Sequence, residues 1–193
     1  MSKQPLPLIA TERLILRPFA ISDGLAVERL AGAREVADTT LTIPHPYPTG
    51  GGAEWILTHA DAWERDRGLA LAICSGTAAE ALIGAISLQL SMPHSHGELG
   101  YWISVGSWGQ GYATEAARAL TAYAFTTLAL HRVQGRHFAR NAASGCVLQK
   151  LGMQFEGIHR DAYSQWNRFE DVAVYAILAQ EWEQKAGPSH EVT

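Results

Sequence analysis

The sequence predicts an α+β fold built on one mixed sheet. Two observations carry that prediction. Short runs of period-two alternation are interspersed with runs of helical spacing, in the order β-α-α-β-β-β-α-β-α-β-β. Strands alternate with helices only in the second half, which argues against a doubly wound parallel repeat. No Pro/Gly/Ser-rich linker divides the 193 residues, 47% of them hydrophobic, so a single domain over 1–193 is expected, loose at about 1–9 and 186–193.

"TERLILRPF" opens the sheet, with Leu14 and Leu16 on one face and Arg13, Ile15 and Arg17 on the other; Pro18 ends it. "SDGLAVERLAGAREV" reads as a first helix capped by Ser22 or Asp23. The prolines and glycines of "TIPHPYPTGGG" forbid helix and central strand alike. A second helix follows, its apolar stripe formed by Ala53, Ile56, Leu57, Ala60 and Trp63. "LALAICS" and "LIGAISLQL" are strands joined through "GTAAEA" as a hairpin, and "GELGYWISV" is the next strand. A helix over about 113–129 buries Ala113, Ala116, Ala117, Leu120, Ala124 and Leu128, leaving Glu115, Arg118 and Thr121 wet. "RVQGRHF" is a strand, and "NAASGCVLQKLG" is a short helix between Asn141 and Gly152. "VAVYAILA" closes the sheet, and "KAGPSHEVT" reads as a disordered tail.

The stretch that asks for a function is "SWGQGYATEA". Glycines 109 and 111 stand where a strand turns into a helix, so ligand atoms can approach the backbone with no Cβ in the way. Helix N-termini leave amides unpaired and carry positive partial charge, so Trp108, Gly109, Gln110, Gly111, Tyr112, Ala113 and Thr114 offer a row of donors to an anion. No Lys-Ser/Thr pair follows, which excludes a Walker A loop, and the turn is no G-x-G-x-x-G. Alone, such a turn is more often a structural device than a ligand site.

In its context the chain resembles the GNAT superfamily of acyl-CoA-dependent N-acyltransferases, and within it the RimJ/RimL-like branch of ribosomal-protein N-terminal acetyltransferases. The resemblance runs from "TERLILRPF" to "EDVAVYAIL". It is strongest over "GELGYWISVGSWGQGYATEA" and "NAASGCVLQKLGMQFEGIHRD", two separate motifs in the right order. The family pattern Q/R-x-x-G-x-G/A falls on Trp108, Gly111 and Ala113; Trp108 departs from it, and the backbone cradle is unaffected. The resemblance implies a mostly antiparallel twisted sheet with helices on both faces and a V-shaped splay between "GYWISV" and a parallel "RVQGRHF". It also implies acetyl-CoA as co-substrate, with the pyrophosphate on the glycine turn and pantetheine bonded near Ile103, Val105 and Asn141.

Acetyl transfer from a thioester to an amine needs a neutral amine, a donor for the oxyanion and a proton for the leaving sulfur. An α-amine is roughly a tenth neutral at pH 7, whereas a lysine amine is neutral only about 0.04% of the time. An N-terminal acceptor therefore demands little of a base. Glu98 is the candidate base, since alternation puts it on one face with Gly100, Trp102 and Ser104, where burial beside tryptophan would raise its pKa. Ser144, matching the serine of the family's N-x-x-S, is the candidate acid; a helix-entrance role for Asn141 and Ser144 is the plainer alternative. Tyr163 and Tyr175 stand in reserve. His45 and Tyr47 in the proline-rich loop are candidate acceptor contacts.

Other features argue against competing classes. The net charge of −4 leaves no basic footprint for nucleic acid. No apolar run approaches the roughly 18 residues of a membrane span, and the first residues lack a signal-peptide core, so a cytoplasmic location is expected. Cys74 and Cys146 suit no metal spacing and read as reduced thiols, with Cys146 a buried packing residue. "HSH" at 94–96 lacks further ligands, so no metal is expected. Glu115 and the Arg168, Glu170, Asp171 group read as surface pairs. The leading expectation is an acetyltransferase for a protein or peptide α-amine. The alternatives are acetylation of a small amine (polyamine, amino acid analogue, aminoglycoside) and an idle acyl-CoA-binding module; a homodimer is an analogy from the family.

Overall fold

A computed structural model describes residues 5–76 and 81–186. The elements are β1 (Ile9–Ala10), β2 (Leu14–Pro18), α1 (Gly24–Ala31), α2 (Arg34–Ala37), α3 (Gly51–Glu64), β3 (Gly68–Ser75), β4 (Ala81–Ser91), β5 (His96–Ile103), α4 (Tyr112–Thr126), β6 (Arg132–Phe138), α5 (Ala142–Lys150), β7 (Gln154–Gln165), β8 (Arg168–Leu178) and α6 (Ala179–Ala186). They form one sheet in the order β1-β2-β3-β4-β5-β6-β8-β7. Every pairing is antiparallel except β5 with β6, the fifth and sixth strands across the sheet.

That parallel pair is short. It runs from His96 opposite Arg132 to Leu99 opposite Gly135 and then stops. Beyond it β5 stays with β4 as far as Ile103 opposite Gly84, while β6 stays with β8 as far as Phe138 opposite Val172. The strands therefore diverge from Gly100 and Arg136 onward, which is the expected V.

Each face carries its own core. Leu14, Leu16, Leu71, Ile73, Ile86, Leu88, Leu99 and Ile103 meet Ala116, Ala117 and Leu120 of α4 and Leu148 of α5 on one side. On the other, Ala85 and Trp102 meet Val27, Ala31, Val36 and Ile56 of α1–α3. Alternation along β5 thus sends Leu99, Tyr101 and Ile103 to the α4 face and Trp102 to the α3 face. Truncating Leu120, which is fully buried, to alanine is worth about 2–5 kcal/mol on the general scale for such cavities.

Several expectations need correction. The first helix is broken: α1 stops at Ala31, and α2 restarts after Gly32 and Ala33. Asp23 does stand at the N-cap position of α1 but makes no side-chain bond to that helix. Its carboxylate accepts Arg17 Nη1 (2.7 Å), Arg17 Nη2 (3.0 Å) and the Ala20 amide, which closes the short turn before α1. The buried face of α3 is Gly52, Ile56, His59 and Trp63, with Leu57 turned to solvent. Gly52 sets that rotation, since a Cβ there would strike the backbone of Gly24 in α1. Thr121 is fully buried and not on the wet side of α4. β8 lies inside the sheet and β7 takes the edge. Ile9 already belongs to the sheet, paired with Leu16, and Lys185 and Ala186 of the expected tail belong to α6. The tip of the hairpin between β3 and β4, residues 77–80, falls outside the described residues.

Candidate active site

The splay opens a cleft of about 1010 Å³ that passes between the two arms of the V and reaches the helices on both faces. Its wall includes Gly109, Gly111, Tyr112, Ala113 and Thr114 from the glycine turn, Asn141 and Ser144 from α5, and Glu98 to Ile103 from β5. Tyr47, Trp55 and His59 line it on the α3 side. Gln110, Val105 and His45 are not on this wall.

The turn has the form an anion needs. Gly109 and Gly111 sit at φ of 74° and 82°, in the left-handed region that glycine tolerates best. A Cβ on Gly109 would meet nothing within 4 Å, and one on Gly111 only the Arg13 Nη2 atom at 3.5 Å. The first helical bond of α4 runs from the Glu115 amide to the Gly111 carbonyl (3.1 Å), so the amides of Tyr112, Ala113 and Thr114 stand outside the helical ladder. These residues fit a diphosphate.

A residue that the sequence did not announce holds this turn from outside. Arg13 at the entrance to β2 donates Nη1 to the Gln110 carbonyl (3.0 Å) and lies over the Tyr112 ring at 4.9 Å. Its Nε bonds Glu115 Oε2 (2.7 Å), and Glu115 Oε1 accepts the Thr11 hydroxyl (2.7 Å) and the Arg13 amide (2.9 Å). Burial pushes the Glu115 carboxyl up, but the Thr11 and Arg13 donors outweigh it and hold the carboxyl below its usual range. Glu115 is thus a fixed brace.

Along β5 the Ser104 amide bonds the Ile83 carbonyl (2.7 Å), so Ser104 and Trp102 turn their peptide groups to β4. Tyr101 and Ile103 turn theirs into the splay, where a pantetheine chain can pair with them. The Ile103 carbonyl is already taken by the Trp108 indole N–H (2.7 Å), and the Val105 carbonyl by the Trp108 amide (3.2 Å). Trp108 therefore pins the bend that separates strand from turn.

Asn141 caps α5, its Oδ1 accepting the Ser144 amide (3.2 Å). Ser144 Oγ is 2.8 Å from Tyr101 Oη. Of the reserve tyrosines, Tyr163 lines the cleft, its Oη accepting from Arg136 Nη1 (2.9 Å), while Tyr175 is not on this wall and its Oη accepts from Gln149 Nε2 (3.3 Å). Cys146, expected to be buried, is exposed, one residue beyond the buried Gly145 on α5.

Glu98 stands at the apex of the V, on the α3 side. Its close neighbours are an arginine and a glutamine and not the expected tryptophan. Oε1 accepts Arg136 Nε (2.9 Å) and Nη2 (2.6 Å), and Oε2 accepts Gln134 Nε2 (2.7 Å). Among the described residues Glu98 is the one carboxylate on the cleft wall, against the cations Arg67, Arg136 and Lys150. The group read as surface pairs is partly interior: Glu170, 5% exposed, receives Arg140 Nε on both oxygens (3.0 Å each) and pairs with Arg168. Arg140 and Arg168 also hold Asp38, at 2.8 and 2.7 Å. Among the described residues no cluster of His, Cys, Asp and Glu could hold a metal ion, and no helix is long and apolar enough to cross a membrane.

Comparison with known proteins agrees with this geometry. Residues 13–154 match the family model of the acetyltransferase (GNAT) domain. YoaA of Bacillus subtilis (strain 168), named an uncharacterized N-acetyltransferase, is 31% identical over 173 residues, spanning 89% of this chain and 97% of its own. Among solved structures, the ribosomal L7/L12 alpha-N-protein acetyltransferase RimL, in complex with coenzyme A, superimposes with a TM-score of 0.81 at 18% identity, over 89% of this chain and 98% of that one. The ribosomal-protein-S5-alanine acetyltransferase of Vibrio fischeri gives 0.79 at 19%, over 92% and 99%. With a splayed parallel pair, a glycine turn opening α4 and this family match, the chain belongs to the GNAT family and is an N-acetyltransferase whose donor is acetyl-CoA.

Proposed function

We propose that the acceptor is the α-amine of a protein or peptide, presented as a chain end at the apex of the V. The observation that carries this reading is the charge of the wall: one carboxylate, Glu98, already held by Arg136, against three cations. A polyamine or aminoglycoside brings several ammonium groups, and each one desolvated without a partner costs several kcal/mol on the general scale for ions. A peptide end brings one. It is also roughly a tenth neutral at pH 7 before any base acts. RimL, an alpha-N-protein acetyltransferase of the same fold, points the same way.

In this reading the amine nitrogen attacks the acetyl carbonyl carbon, the C–N bond forms, and the C–S bond breaks without a covalent enzyme intermediate. Glu98 receives the amine proton through a water on the side of Oε2 that Gln134 leaves open. Ser144 Oγ gives its proton to the leaving sulfur, which departs as the thiol of coenzyme A. The amides of residues 112–114 and the turn at Gly109 and Gly111 hold the diphosphate, and Tyr101, Ile103 and Asn141 steady the pantetheine arm. Tyr47 borders the acceptor.

The test is an acetyl-transfer screen over peptides with varied N-terminal residues, together with spermidine and kanamycin. Peptides are expected to be acetylated at the α-nitrogen and the polycations to be poor acceptors. Faster turnover of spermidine or kanamycin than of every peptide would reverse the reading.

A further inference from the structure

The Tyr101 hydroxyl is a group of the cleft that the chemistry above leaves unused; only the backbone of Tyr101 entered it. The ring belongs to the α4-side core of β5, yet its hydroxyl reaches across the splay to α5. Oη lies 2.8 Å from Ser144 Oγ and 3.1 Å from the Ser144 carbonyl, so both polar groups it touches are on one residue. Both residues line the cleft. A serine at this point of a helix has an alternative: it can turn its proton to a carbonyl of the preceding turn. The Tyr101 proton has two acceptors in reach, Oγ and the Ser144 carbonyl; given to Oγ, it blocks that alternative, because the oxygen then accepts from one side and keeps its own proton for the other.

We propose that Tyr101 is a positioning residue for acetyl transfer: by donating to Ser144 Oγ it directs the Ser144 proton into the cleft, toward the sulfur of coenzyme A. This rests on the assignment of Ser144 as the group that protonates the leaving sulfur. Tyr101 does not itself supply the proton. Burial pushes its hydroxyl up to about 12, with the Ser144 contact pulling the other way, so it stays a neutral donor throughout the working pH range. Chained hydrogen bonds polarise one another, so a donor behind Ser144 also makes the serine a better donor in front.

The role has a signature that needs no acceptor amine. A hydroxyl aimed at the sulfur of bound coenzyme A favours its thiolate and lowers the pH at which the thiol ionises. The experiment is a pH titration of the ultraviolet thiolate band of the coenzyme A complex, with the acetyl-CoA complex, whose sulfur cannot ionise, as the blank. It is run on the wild type, Ser144→Ala, Tyr101→Phe and the double variant. Phenylalanine keeps the packed ring, and coenzyme A affinity measured alongside checks that the site is intact.

Ser144→Ala is expected to raise the midpoint by about one pH unit and Tyr101→Phe by about half of that, from the usual worth of a hydrogen bond. The double variant is expected to match Ser144→Ala alone, since Tyr101 acts only through the serine. A midpoint unmoved by Tyr101→Phe while Ser144→Ala shifts it overturns the role of Tyr101 and leaves that of Ser144 standing. Additive shifts also overturn it. A midpoint unmoved by Ser144→Ala removes the assignment of Ser144 and the inference with it.

Discussion

Where the cleft meets the glycine turn its wall is backbone; where it meets the segment after α2 its wall is side chains drawn from distant parts of the chain. On the proposed donor side, the free amides of 112–114 and two left-handed glycines stand within a few consecutive residues. On the acceptor side, residues 39–43 line the cleft because Gln165 Nε2 donates to the carbonyls of Ala37 (3.2 Å) and Thr40 (2.6 Å), while Arg140 and Arg168 grip Asp38. Those contacts join residues more than a hundred positions apart. A backbone site accepts any ligand of the right charge and shape, and so suits a donor common to a family. A side-chain site can be rebuilt by substitution without touching the donor, which suits an acceptor that differs between relatives.

The contrast is open to direct attack, first at the turn. Gly111→Glu strains a left-handed position, disturbs the Arg13 contact and brings a carboxylate to a turn proposed to hold a diphosphate. Binding of coenzyme A is expected to vanish, and with it the stabilisation that a ligand at a hundred times its dissociation constant confers, about 2.7 kcal/mol. A thermal scan with and without acetyl-CoA reads this. An unchanged ligand-induced rise in Tm would mean that the turn is not the cradle.

The second pair of variants separates the two sides. Arg13→Met removes the brace on Gln110 and Tyr112 and is expected to weaken coenzyme A by about tenfold, the usual scale for a charged hydrogen bond. Pantetheine, which lacks the diphosphate, is expected to bind as before. Asp38→Ala removes the carboxylate that Arg140 and Arg168 grip and leaves only the Arg140 bond to the carbonyl of residue 38. It is expected to raise the KM for the acceptor severalfold while the KM for acetyl-CoA stays put. If both variants moved both constants together, the two walls would be one mechanical unit and the contrast would fail.

Legibility in the sequence followed the same division. The turn, both flanking elements and the caps of α5 could be placed from glycine spacing, alternation and an asparagine, because local backbone rules set them. The rotation of α3 could not. Periodicity favoured Leu57, but the helix turns on Gly52, whose close approach to Gly24 of α1 is a tertiary fact; His59 goes inside and Leu57, 66% exposed, goes out. Glu170 reads as a surface carboxylate until Arg140 and Arg168 are seen to close over it. Tyr101 alternates like any core residue of β5, and its tie to Ser144 spans 43 positions with no local trace. Glu98 was found by its place on the strand, though its partner Arg136 was not.

His59 offers the smallest effect and a distinct one, because it tests packing on the acceptor side without touching chemistry. Its ring stands edge-on to Trp55 at 4.4 Å and to Phe19 at 5.4 Å, and neither ring nitrogen has a hydrogen-bond partner. Burial lowers its pKa to about 4 from the ordinary 6.5. A histidine that gains an anionic partner is raised and stabilises the fold at low pH; this one is depressed, so the sign reverses. Between about pH 6.5 and 4 the unfolded chain takes up a proton that the folded one refuses, and stability is lost as the pH falls through that window. His59→Phe keeps an aromatic ring against Trp55 and Phe19 but has nothing to protonate. Urea midpoints measured from neutral pH downward should therefore fall less steeply for the variant than for the wild type, with the two curves converging or crossing on the acid side. Parallel curves would mean that water reaches the imidazole, and the acceptor wall beneath α3 would then be looser than the contacts of Trp55 and Phe19 imply.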